Sequence, residues 1–419
     1  MLYDRWRQTA RAQRAELALR DAGSGERWTF GELAAVAETL PAVTESMVYP
    51  SGYSAQFVLE VLRGWRGGKA VCPLEPDQAP PAIPLPPAWC AHLKTTSATT
   101  GRARVVAFRA EQLAADAGNI VATMGLRPDW PNLAAISLAH SYGFSNLVLP
   151  LLLHGIPLIL APSPLPEIVR RAAEGQAALT LPAVPALWRA WHEAGAIPLG
   201  VRLALSAGAP LAARLEQEIF GRIGLKIHNF YGASECGGLA YDRSAEPRTD
   251  DALAGTPMEN VALAVNAGGC LQVRSRAVAE GYWPQPDDHL GTGLFQTSDL
   301  AELAAGAVWL RGRLSDLINV AGRKVAPEVI EQALLEHPLV CEALAVGLPS
   351  PEADRVEFIA AVVATLEPVT EEALRQFLLA RLPTWQVPRQ WRFVATLHTN
   401  HRGKISRAEW RKALSAAHG

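Results

Sequence analysis

No excess of charge of either sign marks this sequence: 39 Lys and Arg stand against 41 Asp and Glu, a formal net charge of -2. That balance excludes a general attraction to nucleic acid or to anionic lipid. Cysteine is scarce. Cys72, Cys90, Cys236, Cys270 and Cys341 are odd in number and scattered, with no CxxC or Cys/His spacing of a zinc site. They read as reduced thiols of a cytosolic protein. No apolar run is long enough to span a bilayer, since Pro150, His154, Gly155 and Pro157 interrupt the most apolar stretch, Leu147 to Leu160. The first twenty residues are rich in arginine but lack an apolar h-region and a cleavage signal, and they read as the first helix of the fold. These absences together lead us to expect a soluble cytoplasmic protein that binds neither nucleic acid nor membrane. Repeats and low-complexity segments are missing too; Pro80 to Pro87 is the one linker-like stretch.

What is present is the balance of a folded chain, 49% hydrophobic and 19% charged, and 419 residues imply two or more domains. Helical stretches (Arg11 to Ala22, Gly31 to Leu40, Glu111 to Thr123, Leu211 to Ile223) alternate with short buried β runs. Those runs are Val105 to Phe108, Ala134 to Leu138 and Ile156 to Ala161. Such alternation predicts an α/β fold with largely parallel sheet. After Tyr241 short β runs separated by turns predict a small antiparallel sheet or barrel. From Leu314 an α+β unit follows, with Pro327 opening a helix at the favoured first-turn position.

Four segments carry chemistry. Thr95 to Gly101, followed by Arg102-Ala103-Arg104, places hydroxyls and a glycine before a strand, a loop suited to wrapping phosphate oxygens. It is not a Walker A loop, because GxxxxGK[ST] is absent. Asn229 to Glu235 offers a tyrosine to stack on a base and a carboxylate to hold Mg²⁺ against phosphate. Gly232 to Cys236 also approaches the G-x-S-x-G nucleophile elbow, with Ser234 as nucleophile, but Cys236 stands where the motif has glycine. Asp299 and Arg313, within Thr297 to Leu300 and Trp309 to Arg313, suit the hydroxyls of a ribose and a neighbouring phosphate. Lys404, in Asn400 to Arg407, could offset the charge that develops at an α-phosphate. Each segment alone is also compatible with an ordinary turn or a solvated ion pair.

In chain order these segments resemble the adenylate-forming (ANL) superfamily: acyl-CoA synthetases, aryl-acid and acyl-carrier-protein ligases, adenylation domains and firefly-type luciferases. The family loop TSGTTGxPKxV is similar to Thr96 to Val106, YGxTE to Tyr231 to Glu235, and TGDL to Thr297 to Leu300. GRxxDxIxxxGxxVxPxEIE is similar to Gly312 to Glu331, and GKxxR to Gly403 to Arg407. Weaker matches include Trp28 to Leu33, His140 to Phe144, Ser206 to Leu211 and Gly281 to Trp283.

The resemblance implies an N-terminal adenylation domain, residues 1–313, of two α/β subdomains plus a distorted β-barrel, and a mobile α+β lid, residues 314–419, hinged at Asp316. It implies that Thr96, Ser97, Thr99, Thr100, Gly101 and Arg104 cradle the ATP phosphates and that Glu235 holds Mg²⁺. Tyr231, with Gly232 and Ser234 beside it, would pack on adenine opposite Gly208, Ala209 and Pro210. Asp299 would bind ribose, with Arg313 adjacent. Lys404 would bridge the carboxylate and ATP, His140 would gate the acid pocket, and Gly322 would line a pantetheine tunnel. The implied activity is formation of an acyl-adenylate with release of pyrophosphate, then transfer to the thiol of CoA or of a carrier-protein phosphopantetheine.

Amino-acid adenylation domains of the family place an Asp in the motif that His140 to Phe144 resembles, and none stands here, so the resemblance implies an acid other than an amino acid and leaves aryl, cinnamate-like or medium-chain acids. The basic stretch Arg389 to Lys412 suits CoA phosphates or an acidic carrier. Departures fall at Ala98, Ala103, Arg104 and Ser298, where the family has Gly, Pro, Lys and Gly. They keep open a degenerate adenylate-binding protein without efficient turnover. The 95 residues before Thr96 are few for the family, and monomer and homodimer both remain open.

Overall fold

A computed structural model describes residues 1–96, 104–350, 356–397 and 406–415. Among these, the parallel strands run side by side in the order Leu17–Asp21, Leu158–Leu160, Asn132–Ala134, Leu179–Ala183, Val201–Ser206 and Ile227–Ala233. Most of their residues are buried, as expected where helices cover both faces of a parallel sheet. Those helices include Ala110–Met124, Pro185–Glu193 and Ala213–Ile223.

The strands after Tyr241 do not stand apart. Gly237–Tyr241 pairs antiparallel with Ile227–Ala233, then with Leu253–Pro257, which pairs with Ala307–Arg313. Leu294–Ala304 and Cys270–Ser275 extend the same path. The parallel and antiparallel halves therefore meet at one strand, the one carrying Tyr231.

A second sheet orders Gly281–Trp283, Val105–Phe108, His92–Thr95, Ala70–Val71 and Met47–Val48. The phosphate-loop segment connects two of its neighbouring strands. One continuous core links both sheets with the helices Leu2–Ala12, Phe30–Thr39 and Ala55–Arg66, and Trp6, Phe30 and Phe57 within it are fully buried. The Trp28 to Leu33 motif acts locally: Glu32 N–H donates to Thr29 Oγ1 at 3.2 Å and Thr29 N–H to Glu32 Oε2 at 2.7 Å, a reciprocal helix cap.

The helix expected over Arg11 to Ala22 is a correction. The helix ends at Ala12, and Leu17–Asp21 is a strand between Leu158–Leu160 and Arg27–Thr29. Pairing on both edges overrides the helical preference of an Ala- and Arg-rich run. The strands expected over Ala134 to Leu138 and Ile156 to Ala161 are shorter and shifted, at Asn132–Ala134 and Leu158–Leu160.

The C-terminal unit is built on Val340–Pro349, Glu357–Thr365 and Gln390–Val394. Side chains alternate across this sheet. Val340 and Ala345 join Ile330, Leu334, Leu374 and Leu378 in one core, while Leu344, Val346 and Leu348 join Trp410 and Leu414 in another. The architecture is thus α/β, a large N-terminal body followed by a smaller α+β unit.

Candidate active site

Strand pairing brings the neck of the phosphate loop together. His92–Thr95 and Val105–Phe108 pair antiparallel up to Thr95 opposite Val105. One step further, Thr96 N–H donates to the Arg104 carbonyl at 2.8 Å, and Arg104 N–H donates to Thr96 Oγ1 at 3.0 Å. Thr96 and Arg104 thus close the loop. Ser97, Thr99, Thr100 and Gly101, expected to hold phosphate, lie outside the described residues, as does Lys404. The Arg104 guanidinium is already engaged. It lies 3.3 Å from the centroid of the Tyr282 ring and pairs with Asp287.

Glu235 sits in the turn between Ile227–Ala233 and Gly237–Tyr241. This is a hairpin turn, not the strand-to-helix elbow that a Ser234 nucleophile requires. Gly237 has φ +71°, and a Cβ there would fall on the Asp116 carboxylate. Asp116 Oδ1 accepts from Gly238 N–H at 3.2 Å, and its Oδ2 accepts from Ser145 Oγ at 2.6 Å. Buried Lys94 donates to the same Ser145 hydroxyl at 3.2 Å and stands 4.0 Å from Asp116. Burial pulls the Lys94 ammonium below its ordinary value, and Asp116 acts against that. A strand entering the phosphate loop is thereby tied to the turn that presents Glu235.

The Glu235 carboxylate has one hydrogen bond among the described residues: Tyr282 O–H donates to Oε1 at 2.9 Å. Ala279 N–H also donates to the Glu235 carbonyl at 2.9 Å. Burial, and then the Glu235 charge, push the Tyr282 hydroxyl well above the ordinary phenol range, so it remains a donor.

At the expected ribose end, Asp299 and Arg313 face each other across paired strands, with Arg313 Nε donating to Asp299 Oδ1 at 2.7 Å. Tyr231 donates its hydroxyl to Asp299 Oδ2. Asp299 N–H is held by Thr297 Oγ1 at 3.0 Å. Burial pushes the Tyr231 hydroxyl upward, and the Asp299 charge adds to it. Gly208, at φ +87°, turns the chain after Val201–Ser206; Gly208 and Pro210 are exposed and Ala209 half-buried. Gly232 is exposed and Ser234 half-buried beside Tyr231.

His140 does not stand alone. Its Nε2 is 3.3 Å from Glu75 Oε1, which also accepts from Ser137 Oγ at 2.5 Å. The His140 to Phe144 stretch carries no acid, yet the fold brings one to it from the loop after Ala70–Val71. Gly322 lies in an exposed turn at φ +82°, its N–H donating to Asn319 Oδ1 at 3.0 Å. Asp316, the expected hinge, pairs with Arg407 at 3.4 Å. Arg407 also meets Glu328 at 2.6 Å and Glu331.

Tyr282, Glu75, Asp116 and Arg407 are contacts that reading the sequence did not assign. Tyr282 and Arg407 lay inside quoted motifs, so a signal existed for them. Asp116 and Glu75 carried none.

A divalent cation fits Glu235 in one particular way. Among the described residues no group of three or more His, Cys, Asp or Glu is placed to hold a metal ion. A single carboxylate, with one oxygen outside any hydrogen bond among the described residues, suits Mg²⁺ carried in mainly by substrate phosphates.

Residues 54–283 match the AMP-binding enzyme family, and residues 329–404 match its C-terminal domain. The chain is 27% identical over 352 residues to a sulfoacetate–CoA ligase of Cupriavidus necator, covering 80% of this chain and 69% of that protein. It is 29% identical over 327 residues to a probable 2-succinylbenzoate–CoA ligase of Mycobacterium tuberculosis, covering 75% and 82%. The fold superposes on ATP-bound MatB from Rhodopseudomonas palustris with a TM-score of 0.85 at 20% identity, all of both chains being covered. It also superposes on the o-succinylbenzoate CoA synthetase MenE of Bacillus subtilis in complex with its acyl-adenylate, with a TM-score of 0.81 at 19% identity and 97% of each chain covered. With more than half of its length matched by the family's own pattern, this chain belongs to the AMP-binding enzymes of the adenylate-forming superfamily.

Proposed function

We propose that the protein uses ATP to activate a carboxylic acid as an acyl-adenylate and then transfers the acyl group to the thiol of CoA. The observation that carries this reading is the Tyr231–Asp299–Arg313 set, assembled from three strands and already hydrogen-bonded. A carboxylate so held accepts ribose hydroxyls, and the guanidinium beside it faces phosphate. The CoA-ligase relatives support the thioester step. A phosphopantetheinyl carrier is the alternative acceptor.

The chemistry follows from positioning. A carboxylate is a poor acyl donor until its oxygen is bonded to phosphorus. Thr96 and Arg104 fix the neck of the loop that receives the phosphates, and Glu235 stands across from it on a turn braced by Asp116. Magnesium, when bound with ATP, supplies charge neutralisation on the phosphate oxygens. Lys404 offsets the charge that develops as the acid oxygen attacks. His140, oriented by Glu75, lines the acid pocket. Residues 1–313 form the nucleotide- and acid-binding body. Residues 314–419 form a lid that turns about Asp316, presenting Lys404 in the first step and Gly322 in the second.

The acid is aryl, cinnamate-like or medium-chain in this reading. The test is ATP–pyrophosphate exchange across such acids, with sulfoacetate and 2-succinylbenzoate included because the relatives bear those names. Exchange should depend on one class of acid and collapse in Lys404→Ala. No exchange with any acid would overturn the assignment. A second reading, binding without efficient turnover, is favoured by Arg104, whose guanidinium is held by Tyr282 and Asp287. Calorimetric ATP binding with no exchange would select it.

A further inference from the structure

We propose that Tyr282 is a positioning residue for Glu235, and that Arg104 and Asp287 clasp Tyr282 in place. The inference rests on reading Glu235 as the carboxylate of a magnesium–nucleotide site.

Three observations converge. The segment that ends in Tyr282 grips the Glu235 residue at two points, Ala279 N–H to its carbonyl and Tyr282 O–H to its Oε1. Gly281–Trp283 is itself fixed by pairing with Val105–Phe108, Tyr282 lying opposite Val106. The Tyr282 ring is covered by the Arg104 guanidinium, which is in turn anchored by Asp287. The phosphate-loop neck, the ring and the carboxylate thus form one column.

The physical consequence is orientational. A glutamate carboxylate turns easily about its terminal torsion. A buried phenol donating to Oε1 fixes that plane and leaves Oε2 as the oxygen without a hydrogen bond among the described residues. Arg104, where the family loop has lysine, then serves the column and not the phosphate. A guanidinium suits this because it stacks flat on a ring while its fork reaches a carboxylate, which an ammonium cannot do.

The experiment measures binding of a non-hydrolysable ATP analogue by calorimetry, with and without Mg²⁺, in the native protein, Tyr282→Phe and Asp287→Asn. Thermal melting confirms that each variant is folded. Tyr282→Phe keeps the ring and removes only the donor. It should leave magnesium-free affinity within about twofold and cut the gain in affinity on adding Mg²⁺ by roughly tenfold, the scale of one charge-assisted hydrogen bond. Asp287→Asn should raise magnesium-free affinity by releasing Arg104 toward phosphate, and should lower the magnesium gain in the same direction as Tyr282→Phe. A magnesium gain unchanged in Tyr282→Phe, or a fall of equal size with and without Mg²⁺, overturns the proposal. A native protein that binds no analogue at all refutes instead the nucleotide reading on which it rests.

Discussion

Two clusters of charge in this molecule use the same side chains and are built for opposite ends. In the body, Glu216, Lys226, Asp242 and Arg248 are all buried. Two acids meet two bases, and the remaining donors are met by carbonyls: Lys226 reaches Ile227 at 3.0 Å, and Arg248 reaches Leu211 at 2.7 Å and Leu253 at 2.9 Å. At the junction with the C-terminal unit, one cation, Arg407, faces three carboxylates, Asp316, Glu328 and Glu331. Those groups are half-buried, and among the described residues Glu328 Oε2 is buried without a hydrogen-bond partner. A balanced, saturated cluster has one low-energy arrangement. A cluster with surplus negative charge and an unmet acceptor has less to lose by rearranging. The first pins the strand that carries Tyr231; the second suits the joint proposed at Asp316.

The sharpest way to break that contrast is Glu216→Ala. It leaves Lys226 and Arg248 buried without their shared acid and should cost about 3–5 kcal/mol of stability, read by urea unfolding. Arg407→Met should destabilise less than Glu216→Ala, by about 1–2 kcal/mol, since its partners are half-buried and not fully enclosed. It should nevertheless slow adenylate formation by ~10-fold or more, measured against thioester formation from supplied acyl-adenylate. If Arg407→Met destabilises as much as Glu216→Ala, the joint is a scaffold after all. Asp316→Asn removes one of three acids from Arg407 and leaves the other two in place, so it should change the ratio of the two half-reactions by only about threefold.

The smallest effect is one of pH. Burial would raise the Asp242 carboxyl, but hydrogen bonds from Lys226 and Ser244 hold it below its ordinary value. A depressed acid contributes stability that is present above its ordinary pKa, ~3.9, and is lost as pH falls through the depressed value. The destabilisation by Asp242→Asn should therefore shrink below about pH 4, in unfolding curves taken at neutral and acid pH.

The same contrast explains what the sequence could disclose. The pairing of Asp299 with Arg313 was legible because each belongs to a short run whose residue types fit one task, and Glu235 was singled out on the same ground. Val105–Phe108 was legible as a strand because Val105, Val106 and Phe108 are apolar β-formers, and all four of its residues are buried. Tyr282 clasping Glu235 was hidden, because the two stand 47 residues apart on elements of different sheets. Glu216 was hidden for a different reason: on a helix its charge reads as solvated, and only three-dimensional packing puts two cations around it. The N-terminal strand Leu17–Asp21 was misread because local propensity favours helix there, and its partner Leu158–Leu160 arrives much later.

That lateness has a consequence for how the chain emerges and survives. Val105–Phe108, apolar throughout, is synthesised early, yet the strand that covers its second edge, Gly281–Trp283, follows only after most of the body has been made. Until then the strand pair His92–Thr95 and Val105–Phe108 offers an open, sticky border to any neighbouring strand. Fragments ending before Gly281 should therefore aggregate where fragments ending after Trp283 stay dispersed. The act that seals this border also carries Tyr282 to Glu235, so protection from misassembly and completion of the site arrive with the same few residues.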